Sequence, residues 1–161
     1  TMTLLLFSCI KDDESETINY INVKSQIPTF AVEDTAGNTF SSKQFIGKQS
    51  LLVFFGTYCP DCKQVLPVIE EVWKELKDDP KFLLVTISRK ETAEAVSNYW
   101  EENQFTMPFY LDTRGEVFSL FANNTIPRIY IINPDNEVVW MAVESLDISA
   151  KELIQKIKGL K

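Results

Sequence analysis

Apolar and polar positions along the chain follow two rhythms in turn. Residues 50–57, SLLVFFGT, form a continuous apolar run of strand length, the signature of a strand buried on both faces. Directly after it, Val65, Leu66, Ile69, Val72, Trp73 and Leu76 recur at helical spacing. Pro60 sits where that helix opens, a first-turn position that tolerates a missing N–H, and Asp78-Asp79-Pro80 should end it. A second buried strand is predicted at residues 82–88, FLLVTIS. A helix is predicted over residues 90–104, with Ala95, Val96, Tyr99 and Trp100 on its inner face. A short strand (107–112), a short helix (115–122), a strand (128–134), a turn at Asn133-Pro134-Asp135-Asn136 and a strand (137–143) follow. The last helix starts at the N-cap Ser149 and carries Leu153, Ile154, Ile157 and Leu160. Upstream, residues 27–34 and 39–42 flank a turn at Ala36-Gly37-Asn38 and read as an N-terminal β-hairpin. The alternation predicts an α/β sandwich: a mixed central sheet with helices on both faces and an antiparallel C-terminal edge.

The segment before Ile27 stands outside this alternation. Leu4-Leu5-Leu6-Phe7 followed by Ser8-Cys9 resembles the tail of a bacterial lipoprotein signal peptide, in which cleavage leaves the cysteine as a lipidated N-terminus. Several acyl chains on Cys9 would anchor the protein stably, whereas one alone binds a membrane only marginally. The bland alternative is a frayed terminus with an incidental cysteine. Residues 10–26 are polar and acidic without an amphipathic period, the composition of a flexible tether. Fully extended, a segment of that length spans about 55 Å at roughly 3.3 Å per residue. Lys11-Asp12-Asp13 resembles an acidic signal that directs some lipoproteins to the outer leaflet of the outer membrane. The expected organisation is a signal-peptide remnant at 1–9, a tether at 10–26 and one folded domain at 27–161.

Composition narrows the chemistry. A chain of 161 residues suits a single domain with a real core, and its net charge of −7 argues against nucleic acid as a partner. The chain contains no histidine, which removes the common general base, the common metal ligand and every Cys–His or Ser–His pairing. Three cysteines are too few for a disulfide scaffold.

Two of them, Cys59 and Cys62, stand in the sequence Cys-Pro-Asp-Cys at the strand-to-helix junction. This spacing places both sulfurs on one side of the first helical turn. Cys59 would lie where unpaired N–H groups and the macrodipole favour an anion, which lowers a thiol pKa below its free value of about 8.5. Cys62, one turn further in and more buried, would stay protonated longer. The pair is what dithiol–disulfide exchange needs, an exposed attacking thiol with a resolving thiol behind it. Pro60 stiffens the turn, Asp61 opposes a thiolate and Lys63 favours one. A tetrahedral zinc site is the weaker reading, because only Cys9 remains as a soft ligand. A structural disulfide is weaker too, since so small a loop removes little chain entropy.

The segment 54–72, FFGTYCPDCKQVLPVIEEV, looks like the active-site region of thioredoxin-fold proteins. More narrowly, it resembles the membrane-anchored, extracytoplasmic thiol-disulfide oxidoreductases of the TlpA- and ResA-like kind. The similarity runs from Ile27 to the C-terminus and includes MPFYLDTRGEVF and NNTIPRIYIINPDNEVV. It implies a thioredoxin-like sandwich and a cis peptide at Ile126–Pro127, packed beside the cysteines, with the backbone of Ile126 contacting client chains. Tyr58 stands where the family usually carries Trp. Val53 stands where many thioredoxins carry a buried acid, and Val65 where ResA-like proteins carry a glutamate. Proton handling is then left to water, Asp61, or another carboxylate such as Glu70 or Glu71, although these two read more simply as a solvated helix face. Arg128 either steadies the Cys59 thiolate, binds an acidic partner or is an exposed strand cation.

The resemblance implies an extracytoplasmic thiol-disulfide oxidoreductase acting on protein disulfides, most simply as a reductase recharged by a membrane electron donor. Its potential would fall between about −270 and −120 mV. The Cys59–Cys62 disulfide itself would be the redox group, with no other cofactor. Two other readings remain open. One is a peroxiredoxin-like thiol peroxidase, although Thr57 lies too near Cys59 for that family's Thr-x-x-Cys pattern. The other is a non-catalytic thioredoxin-like module of a surface lipoprotein.

Overall fold

A computed structural model describes residues 16–160, so Cys9 and its expected lipidation lie outside the described residues. Seven strands form one sheet: β1 (Ala31–Glu33), β2 (Thr39–Ser41), β3 (Gln49–Phe55), β4 (Phe82–Arg89), β5 (Tyr110–Asp112), β6 (Arg128–Ile132) and β7 (Val138–Val143). Their order is β2-β1-β5-β4-β3-β6-β7. β3 pairs in parallel with β4, and β4 with β5, while β6 and β7 run antiparallel on one side and the β1–β2 hairpin on the other. The sheet is mixed, with the hairpin at its N-terminal edge.

Both faces of the sheet are covered, because successive side chains of a strand point opposite ways. Phe54 meets Phe118 at 5.5 Å and Phe121 at 4.8 Å between ring centroids. Phe55, on the other face, meets Trp100 at 4.9 Å. β3 is apolar from Leu51 to Phe55 for this reason, and all five of those residues are buried.

Among the described residues, three α-helices complete the domain: α1 (Pro60–Leu76), α2 (Ala93–Glu102) and α3 (Ala150–Lys158). α2 and α3 open as their caps dictate, with the Thr92 and Ser149 hydroxyls accepting from Ala95 N and Glu152 N. On α2, Val96 and Trp100 face inward while Ala95 is exposed, so its inner face is narrower than the periodicity predicts. The short helix expected at 115–122 is a single 3-10 turn at Phe118–Leu120.

The expected tether needs a correction over its described part. Residues 16–26 lie against the domain: Tyr20 N donates to Phe121 O (2.9 Å), Lys24 N to Val138 O (2.7 Å) and Val138 N to Ser25 O (2.9 Å). Composition read as solvated because this segment contributes backbone hydrogen bonds rather than a strong apolar stripe. Ile18, Tyr20 and Val23 remain largely exposed.

Glu70 needs a second correction, since it is buried rather than part of a solvated face. Its carboxylate accepts from Thr106 N (3.0 Å), Thr106 Oγ1 (2.7 Å) and Met107 N (3.0 Å), with Lys74 Nζ 3.6 Å away. It ties the middle of α1 to the turn that feeds β5. Glu71, beside it, is exposed as expected. In urea unfolding, Glu70→Ala should cost about 2–3 kcal/mol because it strands the N–H donors of that turn, whereas Glu71→Ala should stay within about 0.5 kcal/mol. Equal small losses for both variants would refute the assignment.

Candidate active site

β3 delivers the chain to the cysteines through a close approach at Gly56. A Cβ there would lie 2.7 Å from Tyr58 Cε1 and 3.0 Å from Ile126 Cδ1, so the Tyr58 ring and the Ile126 side chain occupy the space that any other residue needs. Tyr58 is 58% exposed and donates to Arg89 O at 3.4 Å. Desolvation pushes its phenol above the ordinary tyrosine range.

Cys59 is the N-cap of α1, with extended backbone, and Pro60 follows at the first helical position. Its sulfur accepts from Cys62 N at 3.3 Å, one of the first-turn donors that a helix cannot satisfy internally. Asp61 sits half-buried in the same turn. Both cysteines are free thiols, Cys59 partly exposed and Cys62 without exposed surface. Burial pushes the Cys62 thiol far above its ordinary range, and its hydrogen bond with Cys59 adds to that shift. Two chemically identical side chains three residues apart are therefore unequal: one sulfur faces solvent and helix donors, the other is sealed beneath it. Lys63 is exposed, its ammonium 5.9 Å from the Tyr99 ring centroid.

The Ile126–Pro127 peptide is cis, as the resemblance implies. Its position opposite the cysteines is direct: the Cys59 thiol lies 3.7 Å from Ile126 O. Arg128 follows and is not an exposed strand cation. It has no exposed surface, and Nε donates to Thr125 O (2.8 Å), Nη2 to Asn124 O (2.9 Å) and Nη1 to Asn19 Oδ1 (2.6 Å). Its donors serve protein acceptors, not an outside partner.

Sequence reading missed Glu91. It is buried just past β4, and its carboxylate accepts from Thr57 N at 2.9 Å and from the Thr57 hydroxyl. Glu91 thus clamps the loop two residues before Cys59, and the Thr57 hydroxyl is committed to it. The signal was faint: an acid one residue before the N-cap Thr92 reads as helix-start polarity. Val53 and Val65 are buried and apolar, so the described residues place no acid at either expected position. Among the described residues, no group of three or more cysteine or acidic side chains is placed to hold a metal ion, and no helix is long and apolar enough to cross a membrane.

Comparison with known proteins agrees with this geometry. The model of the Redoxin family matches residues 22–154. The thiol-disulfide oxidoreductase ResA of Bacillus subtilis is 30% identical over 119 residues, which cover 74% of this chain and 66% of that one. The chain thus spans just under two thirds of that relative's length. A solution structure from Bacteroides thetaiotaomicron, proposed to be a protein disulfide isomerase, superposes with a TM-score of 0.81 at 25% identity, covering 87% of this chain and 90% of that one. A thiol:disulfide interchange protein of the thioredoxin family from Chlorobium tepidum does so at 0.72 and 25% identity, covering 84% and 94%. By sequence, then, this chain belongs to the redoxin family, and it is similar to the thiol-disulfide oxidoreductase ResA and to thioredoxin-like structures.

Proposed function

We propose that this protein reduces disulfides of extracytoplasmic proteins, with Cys59 as the attacking sulfur and Cys62 as the resolving one. The observation that carries the reading is the inequality of the two sulfurs, one partly exposed at a helix mouth and the other sealed a turn below it. Cys59, as thiolate, attacks one sulfur of a client disulfide. That S–S bond breaks, and the client's other sulfur leaves and takes up a proton. The Cys62 thiol then gives up its proton to water or Asp61, and its sulfur attacks Cys59 Sγ. The client's remaining sulfur leaves as a thiol. The client has gained two electrons and two protons, and the protein holds a Cys59–Cys62 disulfide as its only redox group.

The Ile126 backbone lies where it can meet a client strand beside Cys59, and Tyr58 offers an exposed ring next to both. A membrane electron donor returns the disulfide to the dithiol. A lipid on Cys9 holds the protein at an extracytoplasmic membrane, periplasmic or outer, where client disulfides persist.

Three measurements test this. Iodoacetamide captures thiolates, so near pH 7 it should modify Cys59 far faster than Cys62, whose raised pKa keeps it protonated. Mass spectrometry of each cysteine checks it, and equal or reversed rates sink the assignment. The same shift fixes a sign for stability. Cys62 holds its proton more tightly folded than unfolded, so the reduced protein should be fully stable below about pH 8.5 and lose stability as pH rises beyond it. Urea midpoints between about pH 8 and 9.5 should show that slope, and Cys62→Ser should reduce it there; the raised tyrosine phenols add a slope of the same sign nearer pH 10. Finally, Cys62→Ser should accumulate mixed disulfides with client proteins in cells, visible as adducts that dithiothreitol dissolves, while Cys59→Ser should trap none.

A further inference from the structure

Arg128 is a full positive charge without exposed surface, and among the described residues no carboxylate pairs with it. Burying a cation against neutral acceptors alone is costly. Among the described residues, the acceptors nearest its guanidinium belong to two segments, with the buried Tyr130 hydroxyl beside it. Asn124 O and Thr125 O lie in the loop that leads into the cis peptide, and Asn19 Oδ1 lies in the N-terminal segment. The planar fork reaches both at once, a geometry that a lysine ammonium does not reproduce.

The N-terminal segment grips the same loop independently. Thr17 Oγ1 and Thr125 Oγ1 are 2.9 Å apart, Ile18 N donates to Asn123 Oδ1 at 2.8 Å, and Asn123 Nδ2 donates to Glu16 O at 2.9 Å. Tyr20 N closes the other end on Phe121 O, also at 2.9 Å. Between these grips Thr125, a β-branched residue, has φ 76°, a left-handed conformation that it holds only under constraint. The next residue is Ile126, whose carbonyl faces the Cys59 sulfur.

We infer that Arg128 is a positioning residue of the active centre, and that residues 16–20 act through it as a strap that sets the Ile126 carbonyl and the cis-proline loop against Cys59. The inference rests on the thiol–disulfide reading above. Arg128 and Asn19 touch neither sulfur, so they govern how a client chain docks beside Cys59 and not the reactivity of the sulfur itself. The N-terminal segment is thereby part of the client-binding apparatus.

Asn19→Ala and Arg128→Lys test this in the full chain. Steady-state reduction of insulin should show KM raised about two- to threefold for Asn19→Ala and about fivefold or more for Arg128→Lys, with kcat little changed. The rate and pH profile of iodoacetamide labelling at Cys59 should match wild type in both. Hydrogen exchange at the Asn123 and Glu144 amides, which donate to Ile18 O and Pro127 O and need no turnover to be read, should quicken about tenfold. Unchanged exchange, or an unchanged KM in a wild-type background that reduces insulin, overturns the inference. A shifted labelling profile also overturns it, because Arg128 would then act on the sulfur electrostatically. Asn19 is exposed, so its variant keeps the test open should Arg128→Lys fail to fold. A wild type that leaves insulin disulfides intact counts against the thiol–disulfide reading instead, and the exchange measurement still decides the strap.

Discussion

The N–H groups in the first turn of a helix have no carbonyl behind them and must find an acceptor elsewhere. In this protein the Cys62 N–H finds the Cys59 sulfur. That contact makes Cys59 the cap, starts α1 at Pro60 and carries Cys62 inward to a place without solvent. The rest of the site is arranged around the consequence, which is that two equal side chains acquire unequal surroundings.

Sheet topology then gathers the supporting residues at one end. β3 ends at Phe55 and its parallel neighbour β4 at Arg89, while antiparallel β6 begins at Arg128. Three connections therefore meet there: the loop through Gly56 and Thr57, the turn bearing Glu91, and the loop into Pro127. Each is fixed by a different device. Gly56 admits the Tyr58 ring and Ile126, Glu91 takes both donors of Thr57, and Arg128 takes the carbonyls before the cis peptide. Open crevices at strand ends are where α/β folds place their chemistry, and this one follows that rule.

The fold was legible because its buried elements repeat at clear periods. SLLVFFGT and FLLVTIS are strands buried on both faces, and the Cys-Pro-Asp-Cys step sits at the junction that the pattern predicts. The polar residues that hold the site together were not legible, for one shared reason. Glu70, Glu91 and Arg128 are charged, and charge in a sequence reads as solvent exposure. Glu70 and Glu91 are instead buried against groups of a distant segment, Thr106 and Met107 for the first and Thr57 for the second, while Arg128 is buried against the nearby Asn124 and Thr125 carbonyls and the distant Asn19 side chain. No periodicity encodes a partner 34 or 36 residues away. The N-terminal segment misled in the same way, since its attachment is through hydrogen bonds that composition does not reveal.

The complete enclosure of Cys62 has a kinetic consequence. In the exchange proposed above, a client would be joined through Cys59 alone, because outside thiols do not reach Cys62. Its release by Cys62 would then be a unimolecular step, whose rate does not depend on how much client is present. Capture would scale with the number of clients waiting; this internal exit would not.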